Sequence, residues 1–303
     1  MDHGGGGVPV IDLQNFPEEA EKLIRACEEW GCFRVINHGV PAGLMGEIKL
    51  VAESLHELPP ATKRRNGTDI FEGYIPPSNV NPFFEGLGFY DTAGNGGPVV
   101  DDFCSRLDAS SQQRETIKKY FQATHELALD IGKKLAESLG LGSDLCNGWA
   151  CQFWLNKYHF TPQTLGETGV RIHTDLGFLT ILQEDDKVGG LELAAKDSGE
   201  FMAVDPLPGS LFINLGDLAK VWSNGRLHNV KHRVQCKEPS TRFSITLFVV
   251  GPMEEAVQAP PEMVDSGHPA LYRPFTFEEY RKIRLSTGLK NGEALEFFRA
   301  AAN

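Results

Sequence analysis

The chain contains no Cys-x-x-Cys pair, no basic amino-terminal stretch and no uninterrupted apolar run of about 18 residues. Its six cysteines, Cys27, Cys32, Cys104, Cys146, Cys151 and Cys236, are thinly spread. A disulfide framework is therefore not expected, and the simplest expectation is a soluble cytoplasmic protein in a reducing compartment. Basic residues are scarce as well: Lys plus Arg number 29 against 41 for Asp plus Glu, a net charge of -12. Such a surface repels polyanions and anionic lipid, so neither nucleic acid nor a membrane is expected as a partner. There is no GxxxxGK[ST] phosphate loop and no GxSxG elbow. His56-Glu57 and His125-Glu126 begin an HExxH zinc-protease pattern, but Pro60 and Leu129 stand where the second histidine belongs.

What is present is an ordinary globular mixture of 303 residues, 41% hydrophobic and 23% charged, long enough to bury a large core. Gly 32 and Pro 18 together make about a sixth of the chain, above the roughly 12% typical of proteins. That excess asks for many turns. Val8 to Leu13 reads as a strand, and Pro17 opens an amphipathic helix carrying Ala20, Leu23, Ile24 and Cys27 that Gly31 stops. Cys32 to Asn37 is a second strand, and Pro41 opens a helix that Pro59-Pro60 must end. From Asn66 to about Ser105, glycines and prolines interleave with Phe71, Tyr74, Phe83, Phe84, Phe89 and Tyr90, which predicts an extended or looped segment. Ser110 or Ser111 caps a long helix running to Gly140. From Cys151 to Gly251 the apolar period drops to two with dense turn signals, which suggests a sandwich or jelly roll, and the tail returns to helix at 277–283 and 292–300.

The informative cluster is His173-Thr174-Asp175. On a strand, residues two apart share one face at roughly 6.6 Å, so an imidazole and a carboxylate can converge on one metal. The stretch 224–234 offers a further histidine, either His228 or His232. The turn-like Ser223-Asn224-Gly225 and Val234 favour a strand there, on which both histidines would share a face, so periodicity alone does not choose. Two histidines and a carboxylate make the facial triad of non-haem Fe(II) oxygenases. Downstream, Arg242, Ser244, Thr246 and Phe248 alternate onto one face. A buried Arg beside a hydroxyl is costly unless it meets an anion, and its fork fits a carboxylate; an exposed edge-strand Arg is the alternative.

These residues are recognisable as a set. His173-Thr174-Asp175, Gly189-Gly190-Leu191, Gly216-Asp217, Ser223-Asn224-Gly225, His232-Arg233-Val234 and Arg242-Phe243-Ser244 resemble the core of the plant-type 2-oxoglutarate/Fe(II)-dependent dioxygenases. Val8 to Leu13, Trp30 to Val40 and Tyr272 to Arg281 match the same family, so the resemblance spans nearly the whole chain. The family's RxS lies ten residues beyond its distal histidine, which selects His232. The resemblance implies a mainly β core, a double-stranded β-helix or jelly roll with flanking helices. It implies one domain over 1–303: a mostly helical 1–150, a β-helix core at 151–251 and a helical tail at 252–303. It further implies Fe(II) on His173, Asp175 and His232, and 2-oxoglutarate on Arg242, Ser244, Tyr158 and Asn156, with O2 as co-reactant and ascorbate as reductant. Where relatives continue NYYPPC, this chain reads Asn156-Lys157-Tyr158-His159-Phe160-Thr161-Pro162.

That departure, with Asn81 to Glu85, Leu107 to Ser110 and Asn229 to Glu238, is similar to the auxin-oxidising branch of the family. The resemblance implies oxidation of indole-3-acetic acid to 2-oxindole-3-acetic acid; a gibberellin, a jasmonate or a flavonoid is the alternative substrate. A small aromatic carboxylic acid is thus the expected partner of a monomer or weak homo-oligomer. Aromatic walls suit an indole, and a cation or hydroxyl should meet its acetate. Wall candidates are Tyr74, Trp154, Phe178 and Phe248, each of which also suits plain core. Arg171 shares strand parity with His173 but fits an exposed ion pair. Substrate choice is expected to fall to the Gly73–Pro98 segment.

Overall fold

The computed structural model describes residues 7–67, 72–92, 96–142 and 145–301; Gly4 to Gly6, Phe71 and Gly94 lie outside them. Among the described residues, twelve strands form two sheets. The larger has eight: β1 (Val10–Asp12), β2 (Cys32–Ile36), β10 (Leu211–Leu215), β7 (Leu179–Gln183), β12 (Arg242–Gly251), β5 (Ala150–Tyr158), β4 (Phe84–Asp91) and β3 (Gly73–Ile75), in that spatial order. The smaller sheet runs β6 (Thr168–His173), β11 (His232–Gln235), β8 (Leu191–Ala194) and β9 (Phe201–Ala203). The pairing is antiparallel except between β1 and β2. Half of the larger sheet's strands come from before residue 150, so the β core extends beyond 151–251 into the amino-terminal part.

Strand parity explains how one sheet serves two purposes. On β5, Cys151, Phe153 and Leu155 belong to the main apolar core; Phe153 meets Phe89 at 5.2 Å and Tyr120 and Phe121 at 6.0 Å between ring centroids. Tyr120 and Phe121 lie on α5 (Ser111–Ser138), which Ser110 caps through a reciprocal box with Gln113. Alternate residues Trp154, Asn156 and Tyr158 point the other way, into the space between the sheets.

The helices before α5 are α1 (Ala20–Arg25), α2 (Ala42–His56), α3 (Pro60–Arg64) and α4 (Gly97–Arg106). Helix α1 passes into a wide turn over Ala26–Trp30 that ends at Gly31 in the left-handed region. Pro60 opens α3 rather than merely ending α2, because a missing N–H costs nothing in a first turn. The same reason corrects the reading of 66–105 as extended or looped at its far end, where Pro98 sits in the first turn of α4. Helix α6 (Asp217–Trp222) lies between β10 and β11, and after β12 come α7 (Phe277–Thr287) and a 3₁₀ turn at Glu293–Phe298 where a longer tail helix was expected. All six cysteines are buried free thiols. Among the described residues, no helix is long and apolar enough to cross a membrane.

Candidate active site

Strands β6 and β11 pair antiparallel with His232 directly opposite His173, their ring centroids 4.2 Å apart. The chain leaves β6 at His173 and brings Asp175 back beneath both rings. Asp175 Oδ1 lies 3.5 Å from His173 Nε2 and 3.6 Å from His232 Nε2. Among the described residues this is the one cluster of three His, Cys, Asp or Glu side chains arranged as metal ligands are.

The surroundings orient all three donors inward. His173 donates Nδ1–H to the carbonyl of Arg171 at 2.8 Å, and His232 to that of Val230 at 3.2 Å. Each ring is thereby held in the tautomer whose Nε2 lone pair is free. The other oxygen of Asp175 accepts from Thr180 Oγ1 and, at 2.8 Å, from Asn214 Nδ2, which leaves Oδ1 for the centre. Burial lowers the His232 pKa to about 4, with the neighbouring His173 adding to it, so this ring is neutral at physiological pH. For Asp175 burial works against the charge, whereas the Thr180 hydroxyl and the Asn214 amide donate to the carboxylate and favour it.

His228 is not part of this arrangement. It lies before β11 in a loop pinned to the α1 turn, its backbone N–H donating to Cys27 O at 2.9 Å. A shared strand face for His228 and His232 therefore does not exist, because the strand begins only at His232.

A cavity of about 140 Å³ at the triad is also lined by Arg242, Ser244, Tyr158 and Asn156. Register puts them there: Arg242 pairs with Tyr158 and Ser244 with Asn156 across β12 and β5. Asn156 Nδ2 donates to Thr246 Oγ1 at 3.0 Å and more weakly to Ser244 Oγ at 3.4 Å. The Arg242 guanidinium stands 5.0 Å from the Tyr158 ring centroid and is 1% exposed, yet its Nε and Nη1 have no hydrogen-bond partner. A buried guanidinium with unused donors is strongly unfavourable alone and fits a bound carboxylate. Burial pushes the Tyr158 phenol pKa up, so it remains a donor.

A second cavity of about 240 Å³ also borders His173 and Asp175. Trp154 and Phe248 line it as the alternation predicts, with Phe84, Val250, Ile75 and Phe277. Tyr74 and Phe178 do not. On β3 the residue facing the cavity is Ile75; Tyr74 points away and donates to Glu85 Oε1 at 2.7 Å. Phe178 is fully buried between Trp149 and Trp222, at 5.2 and 5.5 Å, while Leu176 and Gly177 face the cavity. Arg171 is exposed on a neighbouring groove. Among the described residues lining the second cavity there is no Lys or Arg, and Thr174 is the one hydroxyl residue. Phe277 was missed because a helix start far along the chain carries no local signal of the cavity. Phe84 stood in the aromatic segment, undistinguished from its neighbours.

Similarity to characterised proteins follows the same outline. Residues 149–250 match the 2OG-Fe(II) oxygenase superfamily, and residues 8–82 match the non-haem dioxygenase in morphine synthesis N-terminal family. The chain is 49% identical to the 2-oxoglutarate-dependent dioxygenase DAO of Oryza sativa subsp. indica, over 95% of this chain and 97% of that one. It belongs to the 2-oxoglutarate/Fe(II)-dependent dioxygenases. The fold of this dioxygenase is likewise that of its relatives. A crystal structure of the rice dioxygenase for auxin oxidation superposes with a TM-score of 0.90 at 47% identity, covering 97% of this chain and all of that one. The Arabidopsis thaliana dioxygenase for auxin oxidation 1, in its 2-oxoglutarate complex, gives 0.82 at 50% identity, covering 86% and 99%. The dioxygenase thus uses Fe(II), 2-oxoglutarate and O2, and its core is the jelly roll implied by the sequence.

Proposed function

We propose that the chain acts as a single dioxygenase domain that oxidises indole-3-acetate to 2-oxindole-3-acetate while 2-oxoglutarate is converted to succinate and CO2. His173, Asp175 and His232 would hold the iron. Arg242, Ser244 and Tyr158 would hold the distal carboxylate of 2-oxoglutarate, with Asn156 fixing the hydroxyls around it. The orphaned Arg242 donors and the inward-aimed Nε2, Nε2, Oδ1 set fit these two groups. Ferrous iron bound there supplies activation of O2 coupled to decarboxylation of the 2-oxo acid.

The remaining work belongs to the protein. Arg242 lines the same cavity as His173, Asp175 and His232, so a dicarboxylate held by its guanidinium would turn its other end toward the triad. Leu182, Leu191, Phe212 and Val234 make the wall apolar and exclude water that would quench an oxidant. In the second cavity Trp154, Phe248, Phe84 and Phe277 would sandwich a flat ring near His173 and Asp175. The observation that carries the reading is this aromatic cavity opening on the triad beside an acid clamp, and the rice and Arabidopsis relatives named for auxin oxidation support it.

The test is succinate release with Fe(II), ascorbate and 2-oxoglutarate across indole-3-acetate, a gibberellin, a jasmonate and a flavonoid. Indole-3-acetate should stimulate release and gain one oxygen atom. Stimulation by another member of the panel alone would replace the substrate and leave the enzyme class intact.

A further inference from the structure

The polar groups lining the second cavity are almost all committed. Asn156 gives its amide protons to Thr246 and Ser244. Thr174 donates to Lys290 O at 3.4 Å and accepts from Arg284 at 3.3 Å, and His173 and Asp175 belong to the triad. Gln152 differs. It lies on the inward face of β5, opposite Phe248 on β12 and Tyr90 on β4, and its amide nitrogen is buried without a hydrogen-bond partner. An unpaired buried donor costs folding free energy, and native proteins keep one mainly where a ligand or water completes it.

Position adds a second reason. Gln152 is four residues from Asn156 along the same strand, about 13 Å, so it marks the end of the cavity away from the 2-oxoglutarate clamp. Between the two ends the wall is aromatic and aliphatic. A substrate with its ring against Trp154 and Phe248 has its polar tail either toward the triad or toward Gln152. With no Lys or Arg among the described lining residues, the amide is the unused donor available to that tail.

We infer that Gln152 is the specificity-determining anchor of the substrate, its side-chain amide donating a hydrogen bond to a carboxyl oxygen of the aromatic acid. The inference rests on the substrate reading above and deepens it. Gln152→Met keeps the length and removes the donor. Gln152→Glu keeps the shape and places a carboxylate against a carboxylate.

The experiment measures KM and kcat for indole-3-acetate and for 3-ethylindole, which has the ring and chain but no carboxyl oxygen, together with KM for 2-oxoglutarate. Gln152→Met should raise KM for indole-3-acetate about tenfold or more, and Gln152→Glu further. KM for 3-ethylindole and for 2-oxoglutarate should stay within about twofold of wild type. An unchanged KM for indole-3-acetate overturns the anchor, as does an equal rise for both indoles, which would mean packing alone. No wild-type turnover of indole-3-acetate overturns the substrate reading and the anchor with it, whereas wild-type turnover with indifferent variants overturns the anchor alone. Urea unfolding of both variants separates these outcomes from loss of fold.

Discussion

Arg284 donates from Nη2 to the carbonyl of Thr174 at 2.8 Å, which ties helix α7 to the one residue between His173 and Asp175. Its Nη1 reaches Asp217 Oδ2 at 2.6 Å, and Asp217 is fully buried with Tyr280 and Asn229 as further donors. The tail of the chain therefore braces the turn that carries two of the three proposed ligands.

Arg284→Met should break this brace and leave the Asp217 charge uncompensated. Removing one partner of a buried pair costs about 3–5 kcal/mol, so the urea midpoint should fall markedly and Co(II) should bind more weakly. A variant with wild-type midpoint and Co(II) affinity would show that the brace is idle.

His232→Ala and His228→Ala should separate cleanly. The first removes one of three donors aimed at a common centre and should abolish iron-dependent succinate release. The second touches a loop histidine and should leave turnover within about twofold. Comparable loss in both would reject the assignment.

Arg242→Met should raise KM for 2-oxoglutarate by about a hundredfold or more, with KM for the aromatic acid little changed. The scale is that of truncating one member of a buried, hydrogen-bonded charge pair. The reverse pattern would retire the clamp.

Gly88→Ala should disturb Trp154. A Cβ at Gly88 would stand 2.4 Å from Trp154 Cδ2 and 2.5 Å from Phe153 O, so the indole must move. We expect about 1–3 kcal/mol of destabilisation, a shifted tryptophan fluorescence maximum and a higher KM for the aromatic acid than for 2-oxoglutarate relative to wild type. Unchanged fluorescence would mean that the strand, not the ring, gives way.

Glu85 sets an acid-side dependence. Burial opposes its charge, but hydrogen bonds from His159, Lys63 and Tyr74 outweigh this and hold its pKa below the usual range. A carboxylate depressed in the folded state contributes stability that is complete above its unfolded pKa of about 4.3 and is lost as pH falls below it. Glu85→Gln should therefore be less stable than wild type at pH 7 by about 3–5 kcal/mol, with the gap shrinking from about pH 5 to pH 3. Parallel urea midpoints across that range would refute it.

Local signals carried much of this. Ser110 followed three residues later by Gln113 marks where α5 begins, and Gly31 marks where the α1 turn ends, because capping and positive-φ preferences act within a few residues. The alternation of Arg242, Ser244, Thr246 and Phe248 likewise put one face of β12 into the pocket correctly. Strand period is a property of the backbone alone.

What depended on distant partners was not legible. Tyr74 and Phe178 are aromatic and near the right motifs, yet their neighbours Ile75 and Gly177 face the cavity, since register against β4 and the path after Asp175 decide which side looks inward. His56 and His159 show no partner in the sequence, but both approach Glu85, at 3.7 and 2.9 Å. Gly86 and Gly88 fall in the segment read as extended or looped and lie within a strand, where a missing Cβ makes room for Trp154, which no local signal announces. The sequence by itself determined the enzyme class through its resemblance to a family, because motifs such as His173-Thr174-Asp175 and Arg242-Phe243-Ser244 are local patterns of residue chemistry. Only the tertiary structure decided which side chains wall the cavity and which donor is left over there, because those depend on the packing of β3, β4, β5, β12 and α7, brought together from five separate stretches of the chain.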